Sequence, residues 1–255
     1  MTNKYMYFVA NWKMFGVPKS LNSLNRVIKF SKLSKTNNFK IIYCPPYTLL
    51  NLFVKKLIKT KIDIGAQNCH ESNSFGAFTG FINSKMLKSI GVNYVILGHS
   101  ENRSQEHDKE NSDTMINRKV KSALKNNLVV IFCIGETLIE RKKKLTNKIL
   151  SQQIYKGLKS INNLKKIIIA YEPVWSIGTG ITPSHKNLTE TILLIREKLV
   201  KKFKNRYPIK VIYGGSVNPQ NISKLNDIKG INGFLVGGAS QSSKNFIDII
   251  KNYYR

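Results

Sequence analysis

The chain has 255 residues, 42% of them hydrophobic, and 42 basic residues against 14 acidic ones give it a net charge of +28 at pH 7. That length and apolar share exclude an intrinsically disordered chain and a small disulfide-stapled scaffold, and they suit one α/β barrel domain spanning residues 1–255. The charge invites a nucleic-acid or membrane-surface partner, but the lysines are spread along the whole chain, the densest run, "RKKKLTNK" (141–148), lacks interleaved aromatics, and the abundance of Lys, Asn and Ile, whose codons are AT-rich, favours coding bias.

The first stretch, "MTNKYMYFVANWKMFG", has neither a long apolar core nor a small-residue cleavage signal. No segment reaches the roughly 18 apolar residues of a membrane span, so no membrane partner and a cytoplasmic location are expected. Eight short β-branched runs then recur: "YMYFVAN" (5–11), "KIIYC" (40–44), "KIDIGA" (61–66), "NYVILG" (93–98), "LVVIFCIG" (128–135), "KIIIAYE" (166–172), "IKVIYGG" (209–215) and "GFLVGG" (233–238). They are continuously apolar and do not alternate, as expected of parallel strands covered on both faces. Between most of them lie segments with Leu and Ile at helical spacing, such as 20–33, 187–203 and 245–254. Roughly eight strand-helix units predict a (β/α)8 barrel, an eight-stranded parallel barrel ringed by helices. A doubly wound open sheet is the alternative, but the first strand is followed by neither G-x-G-x-x-G nor a P-loop. Cys44, Cys69 and Cys133 are widely spaced with no C-x-x-C, which predicts free thiols in a reducing compartment.

Chemistry in such barrels sits where strands end. The strand ends deliver Asn11 and Lys13, Gln67, His99 with Glu101, Cys133 with Glu136, then Glu172, then Gly214, Gly215 and Ser216, and last Gly237 and Gly238. Glu172 closes an apolar run, so partial desolvation raises its proton affinity and suits a general base; a rim ion pair with a lysine is the alternative. His99 stands near a helix N-terminus, whose dipole favours the neutral imidazole, a hydrogen-bond donor and electrophile; a structural histidine is the alternative. Lys13 is distinguished from the other lysines only by its place after the first strand, and Asn11 could satisfy a turn. The pairs in "YGGS" (213–216) and "VGGAS" (236–240) let backbone N–H groups approach an anion, and phosphate after strands seven and eight recurs in barrels; tight turns are the alternative. His70, His107 and His185 lie in polar, loop-like contexts and receive no role.

The motifs "NWKM" (11–14), "GAFTG" (76–80), "LGHSE" (97–101), "CIGET" (133–137), "AYEPVWSIGTG" (170–180), "YGGSV" (213–217) and "LVGGAS" (235–240) resemble the triosephosphate isomerase family, in its order and over the whole chain. The resemblance implies a TIM barrel, normally a homodimer, that interconverts dihydroxyacetone phosphate and glyceraldehyde 3-phosphate in glycolysis and gluconeogenesis, with no cofactor and no metal. It implies that Glu172 moves the proton between adjacent carbons, that His99 is the electrophile, and that Lys13 stabilises the enediolate, a Glu–His pairing long used to illustrate tuned acid–base chemistry. Asn11 would support Lys13 and touch substrate, Glu101 would lie near Lys13, and Gly178, Ser216, Gly237 and Gly238 would bind phosphate. Residues 173–180 match the family's lid, with Pro173, Val174 and Trp175 at one hinge and Gly178, Thr179 and Gly180 at the other. Glu136 would hold Trp175 in the open state and Tyr213 would bond the closed lid. The loop around Ser74 and Gly80 matches the dimer loop, with Thr79 reaching the partner's catalytic groups. No specific nucleic-acid partner is implied. The departures are Phe81 where the family usually has Glu, Asn102 where it has Arg, Ser176 for Ala, Ile181 for Lys and Phe15 for a polar residue. Phe81 and Asn102 remove both members of an interface ion pair together, so no charge is stranded. A different phosphosugar enzyme on the same barrel would keep the phosphate loops but lose His99 or Lys13.

Overall fold

A strand that is apolar on both faces is stable only where both are covered, and a closed barrel inside a ring of helices provides that cover. In the computed structural model, which describes residues 4–33, 38–103, 112–204 and 206–255, each of the eight apolar runs holds a strand. They are β1 (Met6–Asn11), β2 (Phe39–Cys44), β3 (Asp63–Ala66), β4 (Tyr94–Leu97), β5 (Val129–Ile134), β6 (Ile167–Tyr171), β7 (Val211–Tyr213) and β8 (Gly233–Val236). All neighbours are parallel, and the order β1 to β8 closes when β8 pairs with β1.

The connections carry α1 (Leu24–Leu33), α2 (Tyr47–Leu57), α3 (Ser84–Ser89), α4 (Ser100–Arg103), α5 (Asp113–Lys125), α6 (Leu138–Lys142), α7 (Thr146–Gly157), α8 (His185–Phe203) and α9 (Ser243–Tyr253). Local chemistry sets their starts. Asn83, Ser112, Thr137, Ser184 and Ser242 each accept a first-turn backbone N–H, satisfying donors that a helix N-terminus leaves over. The periodic segment 20–33 opens as a 3-10 turn, Pro18–Ser23, before α1. Between β7 and β8 the described residues form only the 3-10 turn Ile222–Leu225 in place of a full helix. That connection holds Pro219 and Gly230 and is rich in Asn, too poor in helix formers for an α-helix.

Side chains of opposite parity separate into two apolar layers. Val9, Ile42, Cys44, Ile96, Ile131, Cys133, Ile168, Ala170, Ile212 and Leu235 form the inner cluster. Alternate residues, including Phe8, Tyr43, Leu97, Phe132, Tyr171 and Phe234, pack outward against helical residues such as Phe53, Ile154 and Phe246. Strand β3 offers Gly65 on the inner face, because a Cβ there would lie 2.6 Å from the Cys44 sulfur. All three cysteines are free, and the fold buries each of them.

The β1–β8 seam depends on Gly233. Its φ is +154°, and a Cβ would stand 2.1 Å from the Tyr7 carbonyl oxygen. Gly233→Ala is therefore expected to open the seam and cost at least about 2 kcal/mol, lowering Tm by about 5 °C or more in a circular-dichroism melt; a melt superimposable on wild type would show that the seam adapts.

Candidate active site

Parallel strands deliver all their C-terminal ends to one rim, and eight residues singled out from the sequence meet there. Asn11, Lys13, His99, Glu172, Gly178, Ser216, Gly237 and Gly238 line one cavity of about 250 Å³.

Glu172 follows β6 directly, and its side chain is only 2% exposed. Two glycines make its place. A Cβ on Gly135 would lie 1.8 Å from the Glu172 carbonyl oxygen, and one on Gly214 would lie 2.8 Å from Glu172 Cγ. His99 Nε2 stands 3.2 Å from Glu172 Oε1, and the Ser100 N–H donates to Oε2 at 3.4 Å. Burial pushes the Glu172 carboxyl above the usual carboxylate range; His99, the Ser100 N–H, the Cys133 thiol and Lys13 oppose the shift without cancelling it.

His99 is held in one tautomer. The Glu101 N–H donates to Nδ1 at 3.2 Å, so Nδ1 is an acceptor and the ring proton sits on Nε2, aimed at Glu172 and the cavity. His99 also starts α4, its carbonyl accepting the N–H groups of Asn102 and Arg103.

Lys13 adopts the left-handed backbone region, with φ of 55°, which is uncommon for a residue with a side chain. Asn11 Oδ1 accepts its N–H at 3.1 Å, and Gln67 Nε2 donates to its carbonyl at 2.9 Å. Its ammonium reaches Glu101 Oε1 at 2.5 Å. Gln67 was visible at a strand end, but nothing in the sequence disclosed that it steadies Lys13. The lining also includes Ile177, Val217, Asn218, Leu235 and Ala239, apolar or neutral residues that carry no motif-independent signal.

The segment after Glu172 folds as the 3-10 turn Val174–Ser176. Trp175 Nε1 donates to Glu136 Oε1 at 3.4 Å, while Arg141 lies over the indole. Glu136 is fully buried and also receives Arg141 at 2.9 Å and the Tyr171 hydroxyl at 3.0 Å. Gly178 and Gly180 have φ of 71° and 76°, which only glycine adopts readily, and Thr179 bridges the Trp175 carbonyl and the Ile181 N–H. Tyr213 meets this segment through the Ser176 hydroxyl, at 3.0 Å. The Trp175–Glu136 and Tyr213–Ser176 contacts are thus present together in one conformation.

Thr79 lies apart, on the exposed loop that carries Phe75, Phe78 and Phe81. His70, given no role from sequence, packs against the Phe78 and Phe81 rings with centroids 4.4 and 5.0 Å away. His185 opens α8, and His107 lies outside the described residues.

The family model described as triosephosphate isomerase matches residues 6–253. A triosephosphate isomerase of Dictyoglomus turgidum is 42% identical over 248 residues, covering 95% of this chain and 97% of its own. One from Thermodesulfovibrio yellowstonii is 40% identical over 247 residues, covering 96% and 98%. The crystal structure of triosephosphate isomerase from Bartonella henselae superposes with a TM-score of 0.88 at 34% identity, covering 98% of this chain and 99% of that one.

The raised carboxyl pKa fixes a sign for stability. The folded chain holds a proton on Glu172 more readily than the unfolded chain does. Its contribution to stability is therefore fully present below the unfolded-state value and is lost as pH rises through the higher folded value. Glu172→Gln is expected to melt about 2–4 °C above wild type at neutral pH, with the gap closing below about pH 4; a variant that melts lower at neutral pH would overturn this.

Proposed function

From the premise that the chain belongs to the triosephosphate isomerase family, we propose that Glu172, His99 and Lys13 carry the family's reaction. The chain interconverts dihydroxyacetone phosphate and D-glyceraldehyde 3-phosphate, the triose step of glycolysis and gluconeogenesis. The observation that carries the assignment is the meeting of these three side chains with the glycine loops after β7 and β8 on one cavity.

Substrate oxygen takes the His99 Nε2–H that now faces Glu172, which frees the carboxylate. Glu172 removes a proton from C1. The C–H electrons form the C1–C2 double bond, and the carbonyl electrons move onto oxygen, giving an enediolate. His99 donates to that oxygen and moves a proton between the two oxygens, while the Lys13 ammonium offsets the negative charge. Glu172 returns its proton to C2, leaving the aldehyde at C1. Burial helps because a carboxylate of raised pKa is a stronger base. Asn11 holds the Lys13 backbone and contacts substrate, and Glu101 sets the ammonium's position. Backbone N–H groups around Gly178, Ser216, Gly237 and Gly238 hold the phosphate. Residues 173–180, with Pro173, Val174 and Trp175 at one end and Thr179 and Gly180 at the other, close over it and exclude water.

Residues 1–255 act as one domain, and the working form is a homodimer joined through the loop around Ser74 and Gly80. That reading is supported by the exposure of Phe75, Phe78 and Phe81 on the loop and of Met14, Phe15 and Val17 beside Lys13. Thr79 of one copy then approaches Asn11 and Lys13 of the other. No helix among the described residues is long and apolar enough to cross a membrane, and with the buried free thiols this supports a cytoplasmic location.

Glu172→Asp withdraws the base by about 1 Å and is expected to lower kcat by about 10²- to 10³-fold with KM within about threefold, read in a coupled assay from dihydroxyacetone phosphate. Normal turnover would remove Glu172 from the mechanism. Phe75→Asp, at a site 68% exposed in the single chain, is expected to give a folded monomer in sedimentation with kcat reduced at least about tenfold; an active dimer would move the interface elsewhere.

A further inference from the structure

The lid hinge contains a buried hydroxyl that the reaction does not use. Ser176 ends the 3-10 turn Val174–Ser176 and is fully buried. Its Oγ donates to the Ile181 carbonyl at 2.6 Å, lies 3.0 Å from the Tyr213 hydroxyl, and accepts the Ser216 N–H at 3.4 Å. A hydroxyl offers one proton and two lone pairs. The Ile181 carbonyl can only accept, so it takes the Ser176 proton, and Tyr213 must donate its own. The Ser216 N–H fills the second lone pair. One oxygen thereby ties the far end of the lid, the end of β7 and the loop that offers the Ser216 N–H. Gly215 makes room for the arrangement, since a Cβ there would lie 2.0 Å from the Tyr213 oxygen and 2.6 Å from the Ser176 oxygen.

We propose that Ser176 is a positioning residue whose hydroxyl clasps the lid in register with the phosphate seat and yields the Ser216 N–H to an arriving phosphate. The unequal bond lengths divide the labour. The bond to Ile181 is short and the one to Tyr213 lies within the normal range, and together they hold the lid end; the one to Ser216 is at the limit of a hydrogen bond and is the one a phosphate oxygen displaces. Without the hydroxyl, the Ile181 carbonyl and Tyr213 lose their partner, and Ile177, Gly178 and Gly180, which line the cavity, must be ordered by the ligand itself. This inference rests on the reading of Ser216 as part of the phosphate seat.

The test uses the full-length enzyme and inorganic phosphate as the probe, by calorimetry and by competitive inhibition. Wild type, Ser176→Ala, Tyr213→Phe and the double variant are compared. Each single variant is expected to weaken phosphate binding by about three- to ten-fold and to raise KM in step. Tm should stay within about 2 °C, which separates positioning from loss of fold. The double variant should bind no more weakly than the poorer single one, because both changes open the same clasp. Wild-type affinity in Ser176→Ala, or losses that multiply in the double variant, overturn the proposal while leaving the seat intact. Wild type that binds no phosphate overturns the seat itself. If Ser176→Ala does not fold, Tyr213→Phe decides, and unchanged affinity there overturns the clasp.

Discussion

A carboxylate kept out of water beside an imidazole that faces it with a proton is the interaction around which the rim of this barrel is arranged. Among the described residues no arginine or lysine is in a tight pair with Glu172; it meets His99 Nε2, the backbone N–H of Ser100 and the Cys133 thiol. Those contacts are enough to keep the charge in place and too few to return its proton affinity to the ordinary range. The glycines at 135 and 214 are the steric half of the same constraint, because any side chain at either position would occupy the volume that Glu172 fills. Stability is given up locally, because burying the carboxyl costs solvation and raises its proton affinity.

The surrounding fold bears that local cost. Two apolar layers, one inside the strands and one between strands and helices, fix the strand ends rigidly enough to hold strained groups. Lys13 illustrates the transfer of rigidity. Its left-handed backbone costs on the order of 1–2 kcal/mol and is held by Asn11 and Gln67, which stand at the ends of β1 and β3. The ammonium thus arrives at the cavity from a backbone with little freedom, even though the side chain is long.

Much of this was legible in the residues. Uninterrupted apolar runs gave eight strands, since a strand buried on both faces cannot alternate. Many of the polar groups that end those runs meet at the cavity, because parallel strands put all such ends on one rim. Other features were illegible for identifiable reasons. The missing helix between β7 and β8 is a matter of what Pro219, Gly230 and several Asn residues will not do. The tautomer of His99 depends on a backbone N–H two residues on, which no side-chain pattern encodes. Gln67 and Ser176 act on residues 54 and 40 positions distant in the chain, through bonds that exist only once the barrel has closed. His70 looked like a loop histidine because its aromatic partners, Phe78 and Phe81, follow it only across an irregular turn.

The sulfur atoms hidden in the two apolar layers have a consequence of their own. Cys44 and Cys133 lie inside the strands and Cys69 in the outer layer, all unpaired, and burial raises the pKa of each thiol, that of Cys69 to about 12. Alkylating reagents and peroxides attack the thiolate, which these sites suppress and shield. Reagent consumed by the native enzyme therefore counts openings of the closed cylinder, and the three sulfhydryls serve as a built-in meter of how often it breathes apart.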